Sequence, residues 1–203
     1  WEQKADFIAE PRHHPYFFSI DDIAYVGFGH GGLYIYNDFY KYEPATDSWS
    51  QLASLPAQGR VAGTQFSYNG KGYALSGDGE DHYYLETGEF WQYTPETDSW
   101  FSLPPHPGNS KWAPGCFIVG DVLYFTSGLQ YDDWVSETLN DLWRFNLDEI
   151  DGIAALELEP LVFPNPTTDK IIHSSRVDYQ LFSLKGELVL EGHASSIEVS
   201  QLT

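Results

Sequence analysis

This chain is short of several things. Its 203 residues include no methionine and a single cysteine, Cys116. One cysteine excludes an intrachain disulfide framework, and cysteine count alone does not set the compartment. Basic residues are scarce: Lys and Arg total 10 against 30 Asp and Glu, for a formal net charge of −20. No basic stripe exists to displace counterions from phosphates, which argues against nucleic acid as a partner. The acidity is expected to serve solubility. No stretch approaches the ~18 apolar residues that span a bilayer. No nucleophile elbow, phosphate-binding loop or dinucleotide fingerprint appears. Scarcity is also regional. All 7 Trp and 13 of the 14 Tyr precede residue 150, and the only later aromatics are Phe163, Tyr179 and Phe182. That break is the first expected domain boundary.

What is present repeats. "YEPATDSW" at Tyr42–Trp49 returns as "YTPETDSW" at Tyr93–Trp100, 51 positions later. Trp1, Trp49 and Trp100 are each followed at one spacing by a cation (Arg12, Arg60, Lys111) and then by a tyrosine (Tyr25, Tyr73, Tyr124). Between cation and tyrosine lie "YFFSI-DD-IAYVG", "QFSY-NG-KGYALSG" and "CFIV-GD-VLYFTSG". Apolar β-formers around two-residue turns of Asp, Asn and Gly predict hairpins. A third strand follows as "NDFYKY", "GEFWQY" and "NDLWRF", and Trp49 or Trp100 opens a fourth. Each unit is predicted to be a four-stranded antiparallel meander that must stack on its neighbours to bury both faces.

The Gly-ended second strand followed by Tyr and Trp at fixed spacing resembles the kelch family. "WEQKADF" with "WSQLASL" resembles the variety common in secreted Bacteroidetes proteins. The resemblance spans residues 1–147 and implies β-propeller blades. The Gly-Gly doublet typical of the family is reduced to Gly-x-Gly or Ser-Gly. Three copies less one strand fall short of a propeller's usual four to eight blades. The ring is therefore expected to be incomplete and the chain to be the C-terminal part of a longer protein. Trp1–Phe7 is expected to be an orphan fourth strand, either completing the third blade or ending a blade upstream.

Residues 148–159 form an acidic connector. Beyond it, short alternating strands around turn residues predict a small β-sandwich. "PNPTTDKI", "YQLFSLKGELV" and "IEVSQL" follow in an order that resembles the C-terminal sorting domain of type IX secretion cargo. That family normally continues with a Gly-x-Tyr strand. Residues 160–203 are thus read as a truncated, Ig-like sorting domain, with Pro164, Asn165, Pro166, Asp169, Lys170 and Gly186 carrying the signal. The resemblance implies export across the outer membrane to the cell surface or medium. It also implies translocon, shuttle and sortase components as partners.

Function in a repeat fold tends to sit where copies differ. The cations, and the recurring Trp and Tyr, are expected to serve the blade. Length varies only between the Tyr strand and the third strand, in "HGGLYIYN", "DGEDHYYLET" and "LQYDDWVSET". Aromatics beside carboxylates suit a glycan or an extended polar chain. The expected ligand-binding residues are Tyr34, Tyr36, Asp81, His82, Tyr83, Tyr84, Tyr131, Asp132 and Trp134. No catalytic residue, cofactor or metal is assigned. Asp78, Glu80, Asp81 and His82 offer oxygen ligands in no recognised calcium spacing. His13 and His14 are expected on opposite faces of a strand. Cys116 is expected to pack in the core. Binding is therefore the expected role, and the alternative is a kelch-type carbohydrate-active enzyme similar to a sialic-acid epimerase.

Overall fold

The computed structural model describes residues 1–83, 85, 88–132, 135–150, 162–163, 170–182 and 188–198. Two compact units result, Trp1–Ile150 and Asp151–Thr203.

In the first unit, β1 (Tyr16–Ile20), β2 (Ile23–Gly27), β5 (Phe39–Glu43) and β6 (Ser48–Leu52) pair in that order, with the short hairpin β3 (His30–Gly31) and β4 (Tyr34–Ile35) between β2 and β5. The second sheet is β7 (Thr64–Tyr68), β8 (Lys71–Leu75), β9 (Gly88–Thr94) and β10 (Ser99–His106). The third holds β11 (Gly115–Val119), β12 (Val122–Asp132) and β13 (Val135–Asn146). The first two hairpin turns fall as predicted. Asp21–Asp22 and Asn69–Gly70 have positive φ at both central positions, as a type I′ turn requires.

Two buried clusters hold the sheets together. The first joins Phe18, Tyr25, Phe28 and Phe39 of the first copy to Ala74 and Tyr93 of the second. The next joins Phe66, Tyr73 and Phe90 of the second copy to Leu123 and Phe125 of the third. A ring pair repeats with the sheets: Phe18–Tyr25 at 5.5 Å, Phe66–Tyr73 at 4.6 Å and Phe117–Tyr124 at 5.3 Å, all stacked. The first two pairs are buried against the following sheet, and Phe117 is exposed.

The recurring cations are structural. Arg12 pairs with Asp38 at 2.5 Å, Arg60 with Glu89, and Lys111 with Asp141 at 2.8 Å. Each carboxylate also accepts a bond from the aromatic two residues on: Tyr40, Trp91 or Trp143. Burial alone would raise the Asp141 carboxyl, but hydrogen bonds from Lys111 and Trp143 outweigh it and lower it.

The repeated octapeptide is a clasp between neighbouring copies. In the second copy, Tyr93 Oη donates to Asp98 at 2.8 Å, and Asp98 accepts from the Ala53 amide at 3.0 Å. Trp100 Nε1 then donates to the Ala53 carbonyl at 3.0 Å. In the first copy the same three bonds recur: Tyr42 Oη donates to Asp47, the Ala5 amide donates to Asp47, and Trp49 Nε1 donates to the Ala5 carbonyl. Asp47 and Asp98 both take the left-handed conformation. Ala5 is therefore held against the first sheet as Ala53 is held against the second. The N-terminal segment forms no strand and does not pair with the third sheet, which corrects the orphan-strand expectation. It is held by side chains at one residue instead: the Ala5 amide donates to Asp47 and the Ala5 carbonyl accepts from Trp49 Nε1.

In the second unit, β14 (Val162–Phe163), β15 (Lys170–Phe182) and β16 (Leu188–Glu198) form one antiparallel sheet. Lys170 stands opposite Glu198. Pro164, Asn165, Pro166, Asp169 and Gly186 lie outside the described residues.

Candidate functional site

Two residues of positive φ follow the Tyr strand in the first two copies, Phe28-Gly29 and Ser76-Gly77, and the matching pair Ser127-Gly128 forms an irregularity inside β12. The first position of the expected glycine doublet thus keeps its positive φ while carrying a side chain, at a steric cost the surrounding bonds must offset. The turn then aims each chain at the segment after the cation. Isolated bridges form at His13–His30, Val61–Asp78 and Trp112–Leu129. The copies are also laced to one another here. Gly29 N donates to Arg60 O at 2.8 Å, and Gly77 N to Lys111 O at 3.0 Å. Ala62 N donates to His14 O at 3.3 Å, and Ala113 N to Ala62 O at 2.6 Å.

This lacing gathers side chains that lie far apart in sequence. His30 rests edge-on against His13 at 4.9 Å and His82 at 4.7 Å. Trp112, from the third copy, meets His14 at 5.2 Å and His82 at 5.8 Å. His13 Nδ1 and His14 Nδ1 are 2.7 Å apart. They do not point to opposite faces as expected, because His14 is left-handed and lies outside any strand. Beside them is a cavity of about 450 Å³, lined by His30, Gly32, Leu33, Tyr34, Ile35, Glu80 and His82. Leu33 and Tyr34 are largely exposed at its rim. Among the described residues, no group of three or more His, Cys, Asp or Glu is arranged to hold a metal ion.

Two buried ionisable side chains belong to the second copy, one of them, Asp78, two residues before Glu80 of the mouth. Asp78 is 1% exposed, and neither carboxylate oxygen has a partner. Burial pushes its carboxyl up to about 7. Arg60 is fully buried, and its Nε and Nη1 have no partner although Nη2 meets Glu89.

No protein-family model matches the chain. Over 113 residues it is 30% identical to the Kelch-like protein terF of Aspergillus terreus, covering 54% of this chain and 24% of that protein. Over 82 residues it is 38% identical to the N-acetylneuraminate epimerase of Shigella sonnei, covering 38% of this chain and 22% of the enzyme. The Escherichia coli K12 epimerase is 37% identical over the same length. A solved structure of YjhT superposes with a TM-score of 0.58 and 21% identity, over 68% of this chain and 55% of that one. The chain is built of kelch-type β-propeller blades. It spans about a quarter of the length of the curated relatives it matches.

Within the kelch blades, the expected ligand residues separate. Tyr34 and His82 line one cavity. Tyr36 does not join them. Its ring lies 4.2 Å from the Arg12 guanidinium and its hydroxyl donates to Gly31 O, so it packs the blade. Tyr83 is exposed but does not line the cavity. Asp81 lies in the 3-10 turn Glu80–His82. Tyr131 and Asp132 are not in a loop: the hairpin of β12 and β13 extends through them, opposite Ser136 and Val135. Backbone pairing continues where alternating Thr, Val and Leu favour it. Tyr84 and Trp134 lie outside the described residues. His13, His14, His30, Glu80 and Trp112 complete the mouth and are not among the expected ligand residues. The signal for them is in the alignment of the copies. Positions 13, 61 and 112 read His, Val, Trp, and positions 30, 78 and 129 read His, Asp, Leu, so the copies differ there too.

Proposed function

We propose that this kelch-type protein binds a polar, hydroxyl-rich ligand such as a glycan at the mouth formed by its first two copies. The supporting observation is the ≈ 450 Å³ cavity with His30, Tyr34, Glu80 and His82 on its walls. An aromatic face stacks on sugar C–H groups while imidazole and carboxylate exchange hydrogen bonds with hydroxyls. Saturation-transfer NMR against a panel of monosaccharides, N-acetylneuraminate included, tests this. Tyr34→Ala should weaken any ligand about tenfold, and unchanged binding in that variant rejects the site.

An epimerase-like activity is the second reading, favoured by the local identity to N-acetylneuraminate epimerases. A carboxyl raised to about 7 suits proton transfer near neutral pH, and Asp78 supplies one two residues before Glu80 of the cavity wall. NMR of N-acetylneuraminate with catalytic amounts of protein separates the readings, because binding without turnover removes the enzyme.

We also propose that residues 160–203 act as a type IX sorting tail, which makes the protein cell-surface or extracellular cargo. The ordered motifs "PNPTTDKI", "YQLFSLKGELV" and "IEVSQL" support this. Strand edges allow such recognition, since backbone pairing does not depend on cargo sequence. A periplasm-directed reporter carrying the tail from Pro160 through a Gly-x-Tyr strand should be exported only in cells with that secretion system; equal export in cells lacking it rejects the assignment.

A further inference from the structure

The mouth between the first two copies is larger than one sugar needs. Its cavity of about 450 Å³ has His30, Tyr34, Glu80 and His82 on its walls. A cavity of about 150 Å³ takes one benzene, so this one has room for about two pyranose rings with their hydroxyls.

Each copy brings an aromatic face to it. In the first copy, the bridge of His13 to His30 fixes the base of the β3–β4 hairpin, and the hairpin carries Leu33 and Tyr34 out to the rim, both largely exposed. In the second copy, the 3-10 turn Glu80–His82 supplies wall residues, and Tyr83 comes directly after it. Gly79 N donates to Tyr83 O at 2.7 Å and Tyr83 N to Glu80 O at 3.3 Å, so the turn fixes the backbone of this tyrosine. Tyr83 is exposed and stands outside the cavity. β4 packs against the turn. One aromatic ring thus lines the cavity and a second follows beyond its wall.

The charge here has one sign. Among the described residues, no Lys or Arg lines the cavity, whereas Glu80 does. The arginines of these two copies are committed within the blades, Arg12 to Asp38 and Arg60 to Glu89. An anionic ligand would meet Glu80 with no counter-charge, in a chain of formal net charge −20. Uncharged hydroxyls exchange hydrogen bonds with imidazole and carboxylate at no such cost. Stacking on tyrosine further requires a sugar face of C–H groups. A β-1,4-linked chain with equatorial substituents presents such a face on every ring along a straight axis, while an α-1,4-linked chain curves away.

We propose that the mouth takes an uncharged β-1,4-linked glycan chain of two or more sugars, with the first rings in the cavity beside Tyr34 and the next on Tyr83. The proposal rests on the mouth being the ligand site and adds the length, linkage and charge of what it binds.

Calorimetric titration of the full chain tests it at pH 8, where imidazole is ordinarily neutral. The probes are two series, glucose to cellotriose and N-acetylglucosamine to triacetylchitotriose, with maltotriose and N-acetylneuraminate as comparisons. In at least one series, each added ring should tighten binding about fivefold, the size of one ring contact. Both comparison sugars should bind more weakly than that trisaccharide. Tyr83→Ala should erase the gain from the third ring, and Tyr34→Ala should weaken every member of the series. A monosaccharide that binds as tightly as its trisaccharide overturns the chain proposal, as does tighter binding of N-acetylneuraminate or maltotriose. If Tyr34→Ala weakens that preferred sugar, the mouth itself stands. Sugar binding that Tyr34→Ala leaves untouched overturns the mouth and this proposal together. Failure of both trisaccharides to bind overturns the chain alone, and the monosaccharide panel then decides the mouth.

Discussion

Between the first and second sheets, Trp100 is wedged against Phe39 and Tyr93, Leu55 is buried, and Ala53 is held through both its amide and its carbonyl. Between the second and third, Phe145 has no hydroxyl, Pro104 has no amide hydrogen, and His106 stands where Leu55 stood. Both partners of the clasp have changed together. A helical turn replaces it, with Leu147 and Ile150 buried in the second cluster and Leu147 N donating to Asp121 O at 2.8 Å. One repeat can therefore close an interface in two ways. Directional side-chain bonds fix the strand end in one, and apolar burial fixes it in the other.

The largest expected effect separates the two interfaces. Trp100→Ala removes an interblade indole and its bond to Ala53, and should cost about 3–5 kcal/mol in denaturant unfolding. Trp143→Ala, at a side chain 40% exposed, should cost less than half as much. Equal losses would mean that the two interfaces do not differ as described.

Asp78→Asn should act next, and with a pH signature. The Asp78 carboxyl goes from an ordinary 3.8 to about 7 on folding. The native state therefore holds the extra proton between those values, and stability falls as pH rises through that window. The variant should be more stable than the parent by roughly 1–3 kcal/mol at pH 8. The difference should vanish below about pH 4. A constant difference across that range would mean that Asp78 is not desolvated in solution.

Tyr93→Phe turns the clasp tyrosine of the second copy into the residue already found at position 145. It removes one hydrogen bond and should cost about 1 kcal/mol. If the third copy has lost its clasp, Phe145→Tyr should return nothing comparable, because Pro104 offers no amide. Chemical denaturation of both variants tests the asymmetry directly. Smallest of all, Glu80→Ala at the exposed mouth should shift stability by no more than about 0.5 kcal/mol while weakening any mouth ligand. A large loss of stability there would make Glu80 part of the blade.

Much of this comparison is legible in the amino-acid order. The hairpin turns, the strand order within each copy and the structural role of Arg12, Arg60 and Lys111 follow from spacing, since a residue that recurs once per blade does the same work in each. The carboxylates that answer those cations are less visible. Asp38, Glu89 and Asp141 lie 26, 29 and 30 residues on, and the intervening loops hide the register. The candidate site is half legible. Loop divergence points to the stretch holding His30 and Tyr34 and to the one holding His82, while His13, His14 and Trp112 follow the cations in segments that look like strand approaches. Tyr36 misleads because its aromatic ring, suited to a ligand, is taken by Arg12.

The sequence by itself determined that the chain repeats a four-stranded unit, where each hairpin turns and which residues recur. Those properties are local, set by turn chemistry, β-alternation and a fixed period. Tertiary structure alone decided which copies' histidines meet and that the octapeptide clasps a neighbour's backbone. Each depends on how one sheet is rotated against the next. Left-handed residues such as His14 and backbone bonds between copies set that rotation, and neither leaves a periodic trace in the sequence.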